Sequence, residues 1–296
     1  MSTATPVPDP PDLSALQRPS GAYAMLAVDQ REAMRTMFAA HQDDPVRDEQ
    51  VTAFKLAATR ILTPYASAVL VDRQFAWDAV VSDGAVAEGC GLIAAADHFV
   101  SAHGELVGEV TIDRDVVPET VKRQGAVAMK LLVLYRPDGG SDERIAMVEQ
   151  FVDSCRRAGL VSIIEPVSRP PLDGRRWDWD EGVLAAAREL GDRGADLYKA
   201  EVPLRGQGEV DEIRRRCAAI TETVASPWVV LSSGVAESTF PTAVEIACRA
   251  GASGFLAGRA VWASCIGVQD VEAELHTSAV RRLQHLCDVV DTTVGS

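Results

Sequence analysis

Lys199 stands near the C-terminal end of a short apolar run, Leu197-Tyr198-Lys199-Ala200-Glu201-Val202, entered from Gly194 and left at Pro203. The chain writes its positive charge almost entirely as arginine: of 29 basic residues, only Lys55, Lys122, Lys130 and Lys199 are lysines. Two of these, Lys130 and Lys199, lie inside strand-like apolar runs. Arginine stays protonated and is no nucleophile, whereas a desolvated lysine can lose its proton and attack a carbonyl. Lys199 is therefore a candidate Schiff-base nucleophile; the alternative is a lysine that snorkels out of a strand end.

Other ionisable side chains end similar runs: Asp29, Asp72, Asp97, Lys130 and Glu165. A second cation near a lysine amine lowers its pKa, a role open to Lys130. Imine formation and carbon–carbon cleavage need a general acid/base, a role open to Glu165. Asp29 could hold a lysine ammonium or bind a substrate hydroxyl. Asp72 and Asp97 suit helix caps or lysine partners as readily as catalysis. The same ions could also form a structural network, because buried charges need partners. Two turns place glycine beside strong donors, Ser232-Ser233-Gly234-Val235 and Ala257-Gly258-Arg259-Ala260. Glycine lets backbone N–H groups approach an oxyanion and arginine adds a planar fork, so Ser232, Ser233, Gly234, Gly258 and Arg259 are candidate phosphate ligands. Either turn alone reads equally well as a tight turn. Arg31 is a candidate for a second anion or a surface arginine. Arg169, Arg175 and Arg176, in a charged, Pro-rich loop over 167–179, form a solvated face or a lid.

These positions need a frame that gathers many run ends in one place. Strand-like runs cover 23–29, 66–72, 91–96, 128–134, 161–165 (stopped by Pro166), the Lys199 run, 228–232 and 253–257. Helical periodicity covers 47–62, 75–81, 118–123, 141–158 (closed by Gly159), 180–193, 209–224, 240–250 and 271–290. Residues 98–117 are turn-rich and read as an excursion, a small hairpin. The alternation predicts an α/β chain folded as one single-domain (β/α)8 TIM barrel over residues 21–292, after a flexible arm at 1–20. No G-x-G-x-x-G follows the first strand, which counts against a dinucleotide fold. In such a barrel the chemistry sits at the C-terminal strand ends, and the loops after strands seven and eight, where both glycine turns fall, commonly hold phosphate.

The net charge of −14 argues against nucleic-acid and anionic-membrane partners. It also means that an anionic substrate must be held by a few local cations. No apolar run reaches the roughly 18–20 residues of a membrane span, and the opening residues are polar and Pro-rich rather than a secretory signal. The six cysteines lie far apart without a C-x-x-C pair, and the five histidines show no ligand spacing. The expectation is a cytoplasmic protein with reduced cysteines, no metal and no cofactor.

Read in order, these residues resemble the class I (Schiff-base) aldolases of the tagatose 1,6-diphosphate aldolase family, and within it most resemble the sulfofructosephosphate aldolase branch. The carrying runs are 24–35 (AMLAVDQREAMR), 62–70 (LTPYASAVL), 162–167 (SIIEPV), 194–199, 231–235 (LSSGV) and 252–262 (ASGFLAGRAVW). The resemblance implies Lys199 as the Schiff-base lysine, Glu165 as proton shuttle, and Asp29 and Lys130 in support. It implies Ser232, Ser233, Gly234, Gly258 and Arg259 around a dihydroxyacetone-phosphate moiety, and Gln30 and Arg31 at a sulfonate end. It further implies a homo-oligomer (dimer or tetramer) without metal. The expected reaction is reversible cleavage of 6-deoxy-6-sulfofructose 1-phosphate to dihydroxyacetone phosphate and 3-sulfolactaldehyde. The alternatives are a class I tagatose or fructose 1,6-bisphosphate aldolase and, further off, a non-catalytic sugar-phosphate-binding barrel.

Overall fold

The computed structural model of the chain describes residues 12–294. Its strands, in chain order, are β1 (Tyr23–Ala27), β2 (Ala68–Val71), β3 (Gly91–Ala95), β4 (Asp97–Ala102), β5 (Glu105–Ile112), β6 (Ala126–Tyr135), β7 (Val161–Ser168), β8 (Leu197–Glu201), β9 (Trp228–Leu231) and β10 (Gly254–Ala257). Eight of them close into a parallel barrel in the order β1-β10-β9-β8-β7-β6-β3-β2, while β4 and β5 make a separate antiparallel hairpin. Helices alternate with the barrel strands, so the expected (β/α)8 single domain is the observed fold.

Period-two alternation builds the two cores. Tyr23, Met25 and Ala27 of β1 point inward with Ala68 and Leu70, Ile93 and Ala95, Val161 and Ile163, and Leu197, Val229 and Leu256. The intervening residues, such as Ala24, Leu26, Val69 and Ile164, face the helices and share a larger core with Phe54, Phe151, Phe240 and Trp262. At the bottom, the short turn Leu13–Leu16 inserts Leu16 into the inner core, and the carbonyl of Ala15 lies so close to Gly91 that a Cβ there would sit 2.5 Å away. Of the expected arm at 1–20, residues 1–11 lie outside the described residues. Residues 12–20 pack on the barrel, with Arg18 and Ser20 both bonded to Asp291 of the final helix.

Two elements differ from the sequence expectation. The polar cluster after the first strand opens a helix, Glu32–Ala39, which buries Met34 and Phe38 at i, i+4 spacing. Strand β7 also runs through Pro166 to Ser168 instead of stopping there. It pairs with β8 only at Ile163 and Ile164 but with β6 as far as Ser168, so the missing proline N–H falls where one flank of the ladder has already ended. The turn-rich excursion is the β4–β5 hairpin, closed by His103 and Gly104, both at positive φ (56° and 76°), as a two-residue turn with a right-handed twist requires. Among the described residues no helix is long and apolar enough to cross a membrane.

Candidate active site

The inward parity of the barrel strands runs through β6, β7 and β8 and carries on past the C-terminal ends of β1, β2 and β3. It takes Asp29 from β1, Asp72 from β2, Asp97 from β3, Lys130 from β6, Glu165 from β7 and Lys199 from β8 to one end of the barrel, all buried. Their heads form one continuous chain of contacts. Lys199 Nζ lies 3.0 Å from Glu165 Oε2, and Lys130 Nζ lies 3.1 Å from the same oxygen. Lys130 Nζ is also 2.7 Å from Asp29 Oδ2 and 2.7 Å from Asp97 Oδ2. Asp97 then accepts from Arg31 at 2.7 Å and from the Leu132 N–H at 3.0 Å. Arg31 Nε reaches to 4.0 Å from Asp72, which ion-pairs with the fully buried Lys55 and accepts from the Phe75 N–H. Four cations and four carboxylates therefore alternate from the helix Asp48–Leu62 to Lys199, and the ledger of formal charge balances.

Burial opposes the ionised form of Asp29, but the ammonium groups of Lys130 and Lys199, with Arg31, outweigh it and hold the carboxyl well below the usual range. Burial likewise opposes the Lys130 ammonium, yet Asp29, Asp97 and Glu165 raise its pKa above that of an ordinary lysine. Lys130, the second cation beside Lys199, is surrounded by three carboxylates and fixes Asp29 and Glu165 in place. Glu165 Oε2 is buried between the two ammonium groups, and neither contact is aligned as a hydrogen bond.

Above this floor lies a cavity of about 710 Å³ whose lining includes Asp29, Glu165, Lys199, Ser233 and Arg259. The Arg259 guanidinium donates to Ser233 Oγ at 2.6 Å, so the two glycine turns meet there. Parity separates the two serines: Ser233 continues the inward set of Val229 and Leu231 and lines the cavity, whereas Ser232 is buried off it. Gly234 (φ 75°) packs against the Arg205 side chain, and Gly258 lets the Ala27 carbonyl approach to where its Cβ would be 2.2 Å away. Ser232, Gly234 and Gly258 therefore shape the turns without lining the cavity. Gln30 and Arg31 both line it. Arg31, however, is 7% exposed, uses two donors on Asp97 and stacks 4.2 Å from the Phe99 ring centroid, which leaves Nε, 4.0 Å from Asp72, without a hydrogen bond.

Sequence reasoning gave Lys55 and Glu201 no role and put Arg169 on a solvated face or a lid. Asp97 and Asp72 are lysine partners, one of the roles open to them, and Lys55 is the unforeseen partner of the latter. Glu201, two residues after Lys199 and thus on the same inward face, is 4% exposed and accepts from the Ser168 N–H at 2.7 Å; burial, ahead of every charge nearby, pushes it up to about 7. Arg169 continues the odd-numbered parity of β7 into the cavity wall, and the β4–β5 hairpin contributes Phe99, Ser101 and Glu105 opposite. The period-two signal could have found Glu201 and Arg169; nothing local announces the hairpin's reach.

The profile of the DeoC/LacD family aldolases matches residues 23–264. The tagatose 1,6-diphosphate aldolase of Staphylococcus haemolyticus is 27% identical over 96% of this chain and 96% of its own length. Tagatose 1,6-diphosphate aldolase 2 of Streptococcus pyogenes is 27% identical over 93% of this chain and 92% of its own. Among solved structures, an archaeal fructose 1,6-bisphosphate aldolase superposes with a TM-score of 0.65 at 18% identity, over 95% of this chain and 98% of that one, a likeness of fold.

Proposed function

The chain belongs to the DeoC/LacD family of aldolases, and from that premise we propose that it cleaves 6-deoxy-6-sulfofructose 1-phosphate through a Schiff base on Lys199. The observation that carries the reading is the shared Glu165 oxygen, 3.0 Å from Lys199 and 3.1 Å from Lys130, at the floor of a cavity that also presents Arg259 and Ser233. Neutral Lys199 attacks the C2 carbonyl, and loss of water gives an iminium. Glu165 takes the C4 hydroxyl proton, the C3–C4 bond breaks, and its electron pair moves into the iminium to leave an enamine. 3-Sulfolactaldehyde departs; the enamine is protonated at C3 and water releases dihydroxyacetone phosphate and the free amine. Lys130 stays charged and holds Glu165 and Asp29 in place throughout. Arg259 and Ser233 hold the phosphate of the dihydroxyacetone half.

The charge pattern of the cavity supports a sulfonate at the other end. Among the described residues Arg259 has no carboxylate in ion-pair contact, which suits a phosphate dianion. The other cavity arginines are each paired: Arg31 with Asp97, Arg73 with Asp113 and Asp115, and Arg169 with Glu105. An end with matched charges asks for an anion of lower charge. The second reading, a tagatose or fructose 1,6-bisphosphate aldolase, draws on what the two bacterial relatives are named for.

The test is borohydride reduction in the presence of dihydroxyacetone phosphate, followed by peptide mapping. A reduced adduct on Lys199, absent from Lys199→Arg, is expected. An unmodified Lys199 in enzyme shown to bind the phosphate returns that lysine to a structural network. Cleavage of the sulfonate and bisphosphate substrates, compared side by side, then decides the distal group.

A further inference from the structure

We infer that Glu105, carried by the β4–β5 hairpin, is the residue that sets which anion the far end of the cavity accepts, an inference that rests on the aldolase reading above. Glu105 opens β5 directly after the tight His103-Gly104 turn, and its carboxylate projects between two arginines of the barrel rim. Arg136, just past β6, lies 2.9 Å from Oε1, and Arg169, just past β7, lies 3.4 Å from Oε2. Oε2 is buried without a hydrogen-bond donor, and Arg136 Nη2, although ion-paired, likewise makes no aligned hydrogen bond, so charge rather than directed bonding holds the carboxylate there. Glu105 and Arg169 both line the cavity; Arg136 is behind them, its other donor on the Pro170 carbonyl.

The hairpin is an insertion between the third and fourth barrel strands, and it brings one negative charge to a wall that the rim arginines would otherwise make positive. A sulfonate carries a single negative charge at any pH near neutrality, whereas a phosphate monoester, with a second pKa of about 6, carries nearly two. Facing Glu105, the extra charge of a phosphate meets repulsion instead of an unmatched guanidinium. The carboxylate thereby discriminates by charge between two tetrahedral oxyanions of similar size, a distinction that shape alone makes poorly.

The experiment compares kcat/KM for 6-deoxy-6-sulfofructose 1-phosphate and fructose 1,6-bisphosphate, which share the phosphate at C1 and the stereochemistry at C4. The ratio cancels effects on the Schiff base and on the shared phosphate. Glu105→Gln and Arg169→Gln both break the same ion pair but change the wall charge in opposite senses. Glu105→Gln is expected to move the ratio toward the bisphosphate by about tenfold, Arg169→Gln to move it away by a similar factor, and the double variant to return it to within about threefold of the parent. Ratios that move in the same direction in the two single variants, or that stay put, overturn the inference and leave the aldolase reading standing. A parent enzyme that cleaves neither substrate and forms no reducible adduct overturns the aldolase reading itself.

Discussion

Lys130→Met tests whether the floor of the cavity is held by charge. The side chains are close in volume, so the substitution removes an ammonium and leaves almost no void. Three carboxylates, those of Asp29, Asp97 and Glu165, then face one another across the gap where Nζ stood 2.7, 2.7 and 3.1 Å from them. Breaking a buried pair by removing one partner costs about 3–5 kcal/mol, and here one cation serves three anions, so the upper part of that range is expected near pH 8. For a chain of this size that is a fall of roughly 6–10 °C in melting temperature. The sign of the pH dependence follows from Asp29. In the parent its carboxyl is held below its unfolded value, so its contribution is present above that value and is lost only as pH falls through the lower, folded one. In the variant burial acts with the Lys130 attraction gone, and the crowded carboxyls bind protons more readily folded than unfolded. The variant therefore regains stability as pH falls, and the gap between the two proteins narrows from pH 8 to pH 5. Chemical denaturation of both proteins across that range reads it directly. A loss below about 1 kcal/mol at pH 8, or a gap that does not change with pH, refutes the reasoning.

Glu201, pushed up to about 7 from 4.5, binds a proton more tightly folded than unfolded, so it contributes stability that is full below about pH 4.5 and lost as pH rises through 7. Glu201→Gln should flatten that slope and be the more stable protein at pH 8, on the order of 3 kcal/mol from the gap in pKa; equal slopes in the two proteins count against it. At Gly254 the backbone has φ 140° and a Cβ would lie 2.0 Å from the Tyr23 carbonyl, so Gly254→Ala should open the β1–β10 seam at a cost of about 3 kcal/mol or more. Gly159→Ala, at φ 65° with open space around it, serves as the comparison and should cost only about 1–2 kcal/mol by thermal melting.

Most of the barrel is visible in the chain because each strand is a short apolar run bounded by glycine, proline or a charge, and each outer helix carries an apolar stripe. Glu32–Ala39 escapes because its first turn is also the polar end of β1, so one stretch serves two elements. Pro166 misleads because local rules do not know that β8 has ceased to pair with β7 by that point. Within the site, the strand-end ions can be enumerated from sequence, but their partners cannot. Arg31 reaches Asp97 only because β1, β2 and β3 are consecutive neighbours in the closed sheet, and Lys55 meets Asp72 only because its helix packs over that seam. The inward parity that separates Ser233 from Ser232 and that exposes Glu201 is present in the sequence, and it becomes readable once strand ends are fixed to the residue.

The alternation of charge along the barrel floor has a consequence for how such an enzyme can change. Asp97 serves Lys130 and Arg31, Glu165 serves Lys130 and Lys199, and Asp72 anchors Lys55 while flanking Arg31, so a substitution at one position is felt at its neighbours. New substrate preferences would have to arise in pairs or triplets of simultaneous replacements there. The β4–β5 hairpin enters that lattice only at its root, where Asp97 pairs with Lys130 and Arg31 and Phe99 stacks on Arg31; its outer part, tied to the rim arginines through Glu105, lines the cavity from outside the lattice, so residues such as Ser101, Leu106 and Val107 can vary one at a time. A mutant library aimed at residues 100–107 should therefore yield altered specificity far more often than one of equal size aimed at the strand ends.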